Sequence, residues 1–310
     1  MKRAIVIGNG KMALDCLKIL IKKTMEVPLV IYAPTEDNSR LARFCERQRI
    51  QTLPIQDPGE REVVERVQRA EPGIIFNINS FSILREPLLS LPPEGIINFH
   101  NGPLPRYRGV NIPSWAIING ESVHGVTWHF VEAAIDAGDI VAQRMFPLEG
   151  AETALDLTFK CILEGTDLFQ EVVGSVISGV VPRRSQGHGS SYYSRHDVPR
   201  GGRVFFDAPY VEIERLVRGL DFRPYPNPFA YPKTACGGRD FVVARIEKRS
   251  NGAPHVPPGT VLSVEGPGIT VAGQDATIEI TEVLDDQLED ISYATLVSRY
   301  GIVVGSMLGK

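Results

Sequence analysis

The sequence predicts an α/β protein in two parts: a mostly parallel sheet with helices on both faces, then a smaller antiparallel barrel. Two observations carry this. Over the first third, short β-branched runs alternate with amphipathic helical patterns, which implies right-handed crossovers between parallel strands. Beyond residue 240, four short apolar runs follow one another with Gly, Pro and Asp turns between them, the pattern of a small antiparallel structure.

The elements follow in order. Ala4 to Ile7 reads as a strand, and Met12 to Lys22 as a helix with Leu14, Leu17, Leu20 and Ile21 on one face. Leu29 to Tyr32 is a second strand, Ser39 to Gln48 a second helix, and Gln51 to Ile55 a short strand before a charged helix near 60–68. Ile74 to Ile78 and Ile96 to Phe99 complete the parallel set, with further strands at Val126 to Phe130 and Ile140 to Met145. Ala154 to Ile177 predicts a long helix packing back on this domain. Gly174, Gly179 and the stretch Gln186-Gly-His-Gly-Ser-Ser then loosen the chain. The expected limits are a first domain over 1–182, a linker over 183–203 and a second domain over 204–310. In that second domain a helix near Tyr210 to Leu220 precedes strands at Phe241 to Ile246, Gly259 to Val264, Gly268 to Val271 and Ala276 to Val283.

A chain of 310 residues with 43% hydrophobic and 23% charged content is ordinary for a globular protein with ample core. Cys16, Cys45, Cys161 and Cys236 are scattered without metal-binding spacing and read as reduced cytoplasmic thiols. No metal is expected, and the N-terminal apolar run is too short for a signal peptide or membrane span. Net charge is −4, and residues 204 to 310 carry 14 acids against 10 bases, which disfavours a nucleic-acid partner. The linker is basic by contrast, with Arg183, Arg184, Arg195, Arg200 and Arg203 facing only Asp197. It reads as solvated, or as a contact for an anionic ligand.

Chemistry concentrates between residues 98 and 140. Asn98-Phe-His100 closes a predicted strand, so both polar side chains leave one face at the end where open α/β sheets bind ligands. An amide, an imidazole and the later acid Asp136 form a usable set of oxyanion donor, general base and orienter. Which of them takes the proton is open at this stage. Gly8-Asn-Gly-Lys-Met-Ala13 matches the dinucleotide-binding turn of a Rossmann-like sheet, yet a tight strand-to-helix turn explains its glycines without a cofactor. His124 and His129 lack a spaced partner and read as structural or surface residues, and Trp115 reads as core.

Asn98-x-His100, Leu104-Pro-Arg-Tyr-Arg-Gly109 and Asp136-Ala-Gly-Asp139, in that order, resemble the signature of the folate-dependent formyltransferases. That family includes methionyl-tRNA, amino-sugar and nonribosomal-peptide formyltransferases. The resemblance implies a Rossmann-like catalytic domain, a C-terminal barrel of oligonucleotide-binding-like topology, and 10-formyltetrahydrofolate as co-substrate. It assigns catalysis to Asn98, His100 and Asp136, the first acid of the last motif, leaving Asp139 to the turn. It suggests folate contacts at Phe81, Ile83 and Leu84 together with Asp136; Arg106 and Arg108 are candidate acceptor contacts.

His100-Asn-Gly-Pro-Leu-Pro105 departs from the His-x-Ser-Leu-Leu-Pro of many relatives. With Gly125-Val-Thr-Trp-His129 and Leu220-Asp-Phe-Arg-Pro-Tyr-Pro-Asn-Pro228, it looks most like formyltransferases of nonribosomal peptide pathways. The expected acceptor is a primary amine of an amino acid or peptide precursor, possibly carrier-bound. An amino sugar comes second and initiator tRNA third. A nicotinamide oxidoreductase resting on the glycine turn, and a non-catalytic folate- or carrier-binding relative, are the readings from other classes.

Overall fold

The computed structural model describes the whole chain except residues 1, 58–60, 81–82, 228, 265–267, 286 and 310, and the side chain of residue 293. The chain divides into two compact units. The first comprises residues 1–112, 123–147 and 158–193, and the second 113–122, 148–157 and 194–310.

The first unit is built on a seven-stranded sheet. β1 (Ala4–Gly8), β2 (Leu29–Tyr32), β3 (Gln51–Pro54), β4 (Ile74–Ile78) and β5 (Ile96–His100) are joined by α1 (Gly10–Lys22), α2 (Ser39–Gln48) and α3 (Arg61–Ala70). A two-residue strand β6 (Arg108–Gly109) precedes β7 (Val123–Phe130) and β8 (Ile140–Pro147); the short helix α4 (Ile112–Ile118), between β6 and β7 in sequence, belongs to the second unit from residue 113 onward. The long helix α5 (Ala154–Ser178) and the short strand β9 (Tyr192–Tyr193) follow. The order across the sheet is β3-β2-β1-β4-β5-β7-β8. The first five strands run parallel, while β7 lies antiparallel to both β5 and β8. The strand near the start of the chain is apolar throughout, as a sheet covered on both faces requires.

One core layer packs Ile5, Ile7, Leu29, Ile31, Val63, Val67 and Ile75. Another is aromatic. Phe169 stands edge-on to Phe76 with ring centroids 4.9 Å apart and packs against Trp128 at 4.8 Å, and Phe99 meets Trp128 at 5.3 Å. Trp128 buries its indole without stranding the N–H, which donates to the Gly165 carbonyl at 2.9 Å.

The second unit centres on a five-stranded antiparallel half-barrel in the order β10-β11-β14-β13-β12. These are Lys233–Cys236, Arg239–Asn251, Ala276–Leu284, Ile269–Ala272 and Val261–Ser263, respectively. Its concave side is filled by residues such as Phe241, Val243, Val271, Ile278 and Ile280, with α6 (Tyr210–Gly219) supplying Ile213, Leu216 and Val217. α7 (Tyr293–Tyr300) is capped by Ser292, which accepts the Thr295 N–H, and closes on the left-handed Gly301. The sequence reading has no counterpart of α4, α7 and β10, and it ends the 13-residue β11 at Ile246 rather than Asn251. No described helix is long and apolar enough to cross a membrane.

Gly8 shows why the first turn needs glycine. A Cβ there would lie 2.5 Å from the Ile78 carbonyl oxygen of the neighbouring strand. Gly8→Ala is therefore expected to lower the unfolding free energy by about 1–3 kcal/mol. A denaturant midpoint equal to that of the parent would contradict this close approach.

Candidate active site

Three cross-strand neighbours start the site. Asn77 on β4 pairs in register with Asn98 on β5, and Asn98 pairs with His129 on β7. Their side chains form one hydrogen-bonded row. The His129 Nδ1 lies 2.8 Å from the Phe130 carbonyl, an acceptor only, so Nδ1 must carry the proton. The His129 Nε2 is then a lone pair, and Asn98 Nδ2 donates to it at 3.0 Å. Asn98 Oδ1 in turn accepts from Asn77 Nδ2 at 2.7 Å. One backbone carbonyl thus orients three side chains. It leaves the second Nδ2–H of Asn98 available as a donor, and it leaves the buried Asn77 Oδ1 without a hydrogen-bond partner.

His100 ends β5 on the same face and is only 5% exposed. Its Nε2 lies 2.6 Å from the Tyr107 carbonyl, which likewise forces the proton onto Nε2 and makes Nδ1 the basic nitrogen. That Nδ1 faces Asp136 Oδ2 at 3.6 Å, too far for a direct hydrogen bond but close enough for strong electrostatic support. Asp136 Oδ1 lies 3.5 Å from His129 Nε2, and Asp136 Oδ2 accepts the Gly109 N–H at 2.9 Å.

Asp136 sits in the loop between β7 and β8 with φ +48°, in the left-handed region that non-glycine residues rarely occupy. The loop closes through the Phe130 N–H, which donates to the carbonyl of Asp139.

Burial lowers the pKa of His100 below its ordinary value of 6.5, against the opposing charge of Asp136 and the bond to Tyr107. The imidazole is therefore neutral and basic near neutral pH. Burial alone would raise the Asp136 carboxyl, but the Gly109 N–H and the positive charge that either imidazole takes on when protonated outweigh it and hold the group well below the usual carboxylate range. An amide donor, a neutral imidazole and a permanent carboxylate around one spot suit acyl transfer to an amine.

The structure brings Asn98, His100 and Asp136 together and adds His129, which the sequence alone read as structural or surface. Its signal is the antiparallel register of β5 and β7, which no local pattern shows. Leu84 is buried in the core with Leu88 and Ile96, whereas Ile83 is 44% exposed. Phe81 lies outside the described residues. Arg106 is exposed, 5.3 Å above the Tyr107 ring, and the Arg108 guanidinium is engaged by Gln186 Oε1 at 2.7 Å from Nη2.

The stretch expected as a linker falls inside the two units, 183–193 in the first and 194–203 in the second. Residues 183–193 belong to the first unit, where Arg184 exchanges both main-chain bonds with Ile140. Arg183 lies 3.5 Å over the Phe130 ring.

At the alternative nucleotide site of the first turn, the protein's own side chains engage main-chain donors. Asn38 Oδ1 accepts the Gly10 N–H at 2.7 Å, at the helix N-terminus where a pyrophosphate would bind. Asn9 Oδ1 accepts from the Ala33 N–H and from Asn38 Nδ2.

Comparison with known proteins matches this architecture. Residues 2–173 fit the formyl transferase family, and residues 199–299 fit the formyl transferase C-terminal domain. The methionyl-tRNA formyltransferase of Acetivibrio thermocellus is 25% identical over 316 residues, covering 99% of this chain and 100% of that protein. The enzyme of the same name from Geobacter sulfurreducens is 26% identical, covering 99% and 97%.

Among solved structures, an N-formyltransferase from Helicobacter canadensis in complex with folinic acid and dTDP-3-aminofucose shares the fold with a TM-score of 0.71. It is 21% identical and covers 90% of this chain and 99% of that one. A 4-N-formyltransferase from Francisella tularensis shares it at 0.63, with 21% identity, 74% of this chain and 91% of that one. With both of its parts matched in order, the chain belongs to the formyl transferase family and is a folate-dependent N-formyltransferase that uses 10-formyltetrahydrofolate.

Proposed function

We propose that this enzyme formylates the primary amine of a small acceptor, an amino acid or peptide precursor of specialised metabolism, free or held on a carrier. The observation that supports a small acceptor is the way the second unit uses its cations. Arg200 pairs with Glu212, Arg203 with Asp240, Arg218 with Glu214, Arg223 with Asp221 and Glu282, and Arg249 with Glu279. A phosphate backbone is held by Lys and Arg, so a tRNA would compete with the protein's own carboxylates for these side chains. A second reading, initiator tRNA, is favoured by the names of the full-length relatives. An amino-sugar acceptor has the same kind of support from the solved structures.

We propose the following roles. 10-Formyltetrahydrofolate supplies an electrophilic formyl carbon bonded to N10. Asn98 donates its remaining Nδ2–H to the formyl oxygen as negative charge builds there. His100 accepts the proton of the attacking amine at Nδ1, since Nε2 is committed to Tyr107. Asp136 stabilises the resulting imidazolium, and the same proton then passes to the departing nitrogen. One C–N bond forms, one breaks, and no net proton is consumed. Ile83 remains the candidate folate contact on the chain, with Phe81 two residues before it in sequence, while Leu84 is taken up by the core; Arg106 is the candidate acceptor contact.

Asn98→Ala is expected to lower kcat by about 10²–10³-fold through loss of one oxyanion donor. His100→Ala and Asp136→Asn should each lower it by about 10²–10⁴-fold with folate affinity nearly retained. Near-parental turnover in all three would sink the assignment of roles.

A pH profile tests the same site. Activity should fall on the acid side as His100 protonates, with an apparent pKa below 6.5. Asp136 raises the His100 pKa, so Asp136→Asn should move that limb to still lower pH; a shift upward would contradict His100 as the base.

The acceptor is tested by following tetrahydrofolate release with free amino acids, carrier-bound amino acids, nucleotide amino sugars and initiator methionyl-tRNA. A gain of one formyl group in an amino acid or peptide is the expected result. Transfer to tRNA or to a sugar alone would replace the proposed acceptor.

A further inference from the structure

We propose that Gln186 is a positioning residue for Asp136, and that the stretch from Gln186 to Tyr193 is a strap tying together the two loops that carry the site. This inference rests on the proposed roles of His100 and Asp136.

The Gln186 amide uses its full hydrogen-bonding capacity. Its Nε2 donates to the carbonyl of Asp136 at 2.8 Å and to that of Gly138 at 2.7 Å. Its Oε1 accepts from Arg108 Nε at 3.2 Å and Nη2 at 2.7 Å. Two donors and two lone pairs are thereby matched to four partners, two on each loop. The carbonyl it grips first is that of Asp136 itself, whose left-handed backbone persists only where its surroundings hold it.

The strap grips the other loop along its main chain. Ser191 Oγ accepts the Tyr107 N–H at 2.8 Å, the Ser191 carbonyl accepts the Arg108 N–H at 2.9 Å, and the Tyr193 carbonyl accepts the Val110 N–H at 3.0 Å. The Tyr107 and Tyr193 rings stack at 5.5 Å with a 15° interplanar angle. Gly109 lies between, and any Cβ there would stand 2.0 Å from the Tyr193 carbonyl oxygen. The one N–H of this run that turns away from the strap is that of Gly109, which goes to Asp136 Oδ2. The carbonyl of Tyr107 meanwhile accepts from His100 Nε2. The strapped loop therefore touches both His100 and Asp136, while Gln186 fixes the loop on the far side. Gln186 sets the separation of imidazole and carboxylate without touching the reacting atoms.

The test compares Gln186→Leu with His100→Ala and Asp136→Asn in the full chain. Gln186→Leu keeps the side-chain volume and removes both donors and the acceptor. The expected result is a kcat lower by about 10- to 100-fold, since small misplacements cost that much, with KM for the folate changed by less than about twofold. The imidazole faces Asp136 and His129; its pKa is raised by the Asp136 charge and by the bond to the Tyr107 carbonyl, and of these only Asp136 is held directly by Gln186. A displaced carboxylate should therefore shift the acid limb of kcat/KM to lower pH, as Asp136→Asn does.

If the leucine variant does not fold, Gln186→Glu carries the test: it keeps the acceptor for Arg108, loses both donors to the carbonyls, and should give the same kcat-only loss. Parental kcat and pH profile in a folded Gln186 variant would overturn the inference when His100→Ala and Asp136→Asn show their expected losses. A lower thermal midpoint with kcat unchanged would do so equally, by leaving Gln186 only a structural part. Activity retained in His100→Ala and Asp136→Asn would instead count against the site itself.

Discussion

The antiparallel pairing of β7 with β5 is the constraint on which the candidate site depends. Five strands run parallel, and a sixth parallel strand would have carried its following loop to the same edge by a helical crossover. Instead β7 returns beside β5, which places His129 directly opposite Asn98 and starts the 131–139 turn level with Ile96 and Ile97, so that the turn reaches back to set Asp136 3.6 Å from His100. The pairing also sets Trp128 opposite Phe99, so the strand pair that builds the site is anchored by the aromatic layer on Phe169. Site and core are two sides of one register, and a slip of one residue would exchange them.

Within that frame, main-chain carbonyls decide protonation. Phe130 and Tyr107 each present an acceptor to one imidazole nitrogen, and each thereby selects a tautomer. The choice at His129 propagates through Asn98 to Asn77, because every amide in the row has only one orientation that alternates donors and acceptors. The choice at His100 leaves its basic nitrogen toward a carboxylate whose neighbours keep it ionised. Such preorganisation is what electrostatic catalysis draws upon, since the donors need not turn when charge appears. Its local expense is visible in the unpartnered Asn77 Oδ1 and in the positive φ of Tyr107 and Asp136.

The second unit shows a different use of charge. Its arginines are mostly committed to acids of the same unit, including Arg249 on the nearly buried Glu279. Exposed ion pairs of this kind contribute little to stability. Their consequence is rather that these arginines already face carboxylates of their own unit.

Local patterns in the sequence determined much. The β-branched runs of β1, β2 and β4 and the amphipathic stripe of α1 have periods that only one element type accommodates. The polar pair Asn98 and His100 shares a face because side chains in a strand repeat every second residue. The mostly parallel sheet and the C-terminal antiparallel sheet follow from how those elements alternate. What tertiary structure alone decided is everything that rests on partners far apart in sequence. His129 acquires its place only when β7 lies beside β5. Arg108 turns to Gln186, 78 residues away, rather than outward, and part of a basic stretch that reads as linker becomes a strap. No local signal carries these, because they are fixed by strand register and by which carbonyls a folded loop leaves facing a donor.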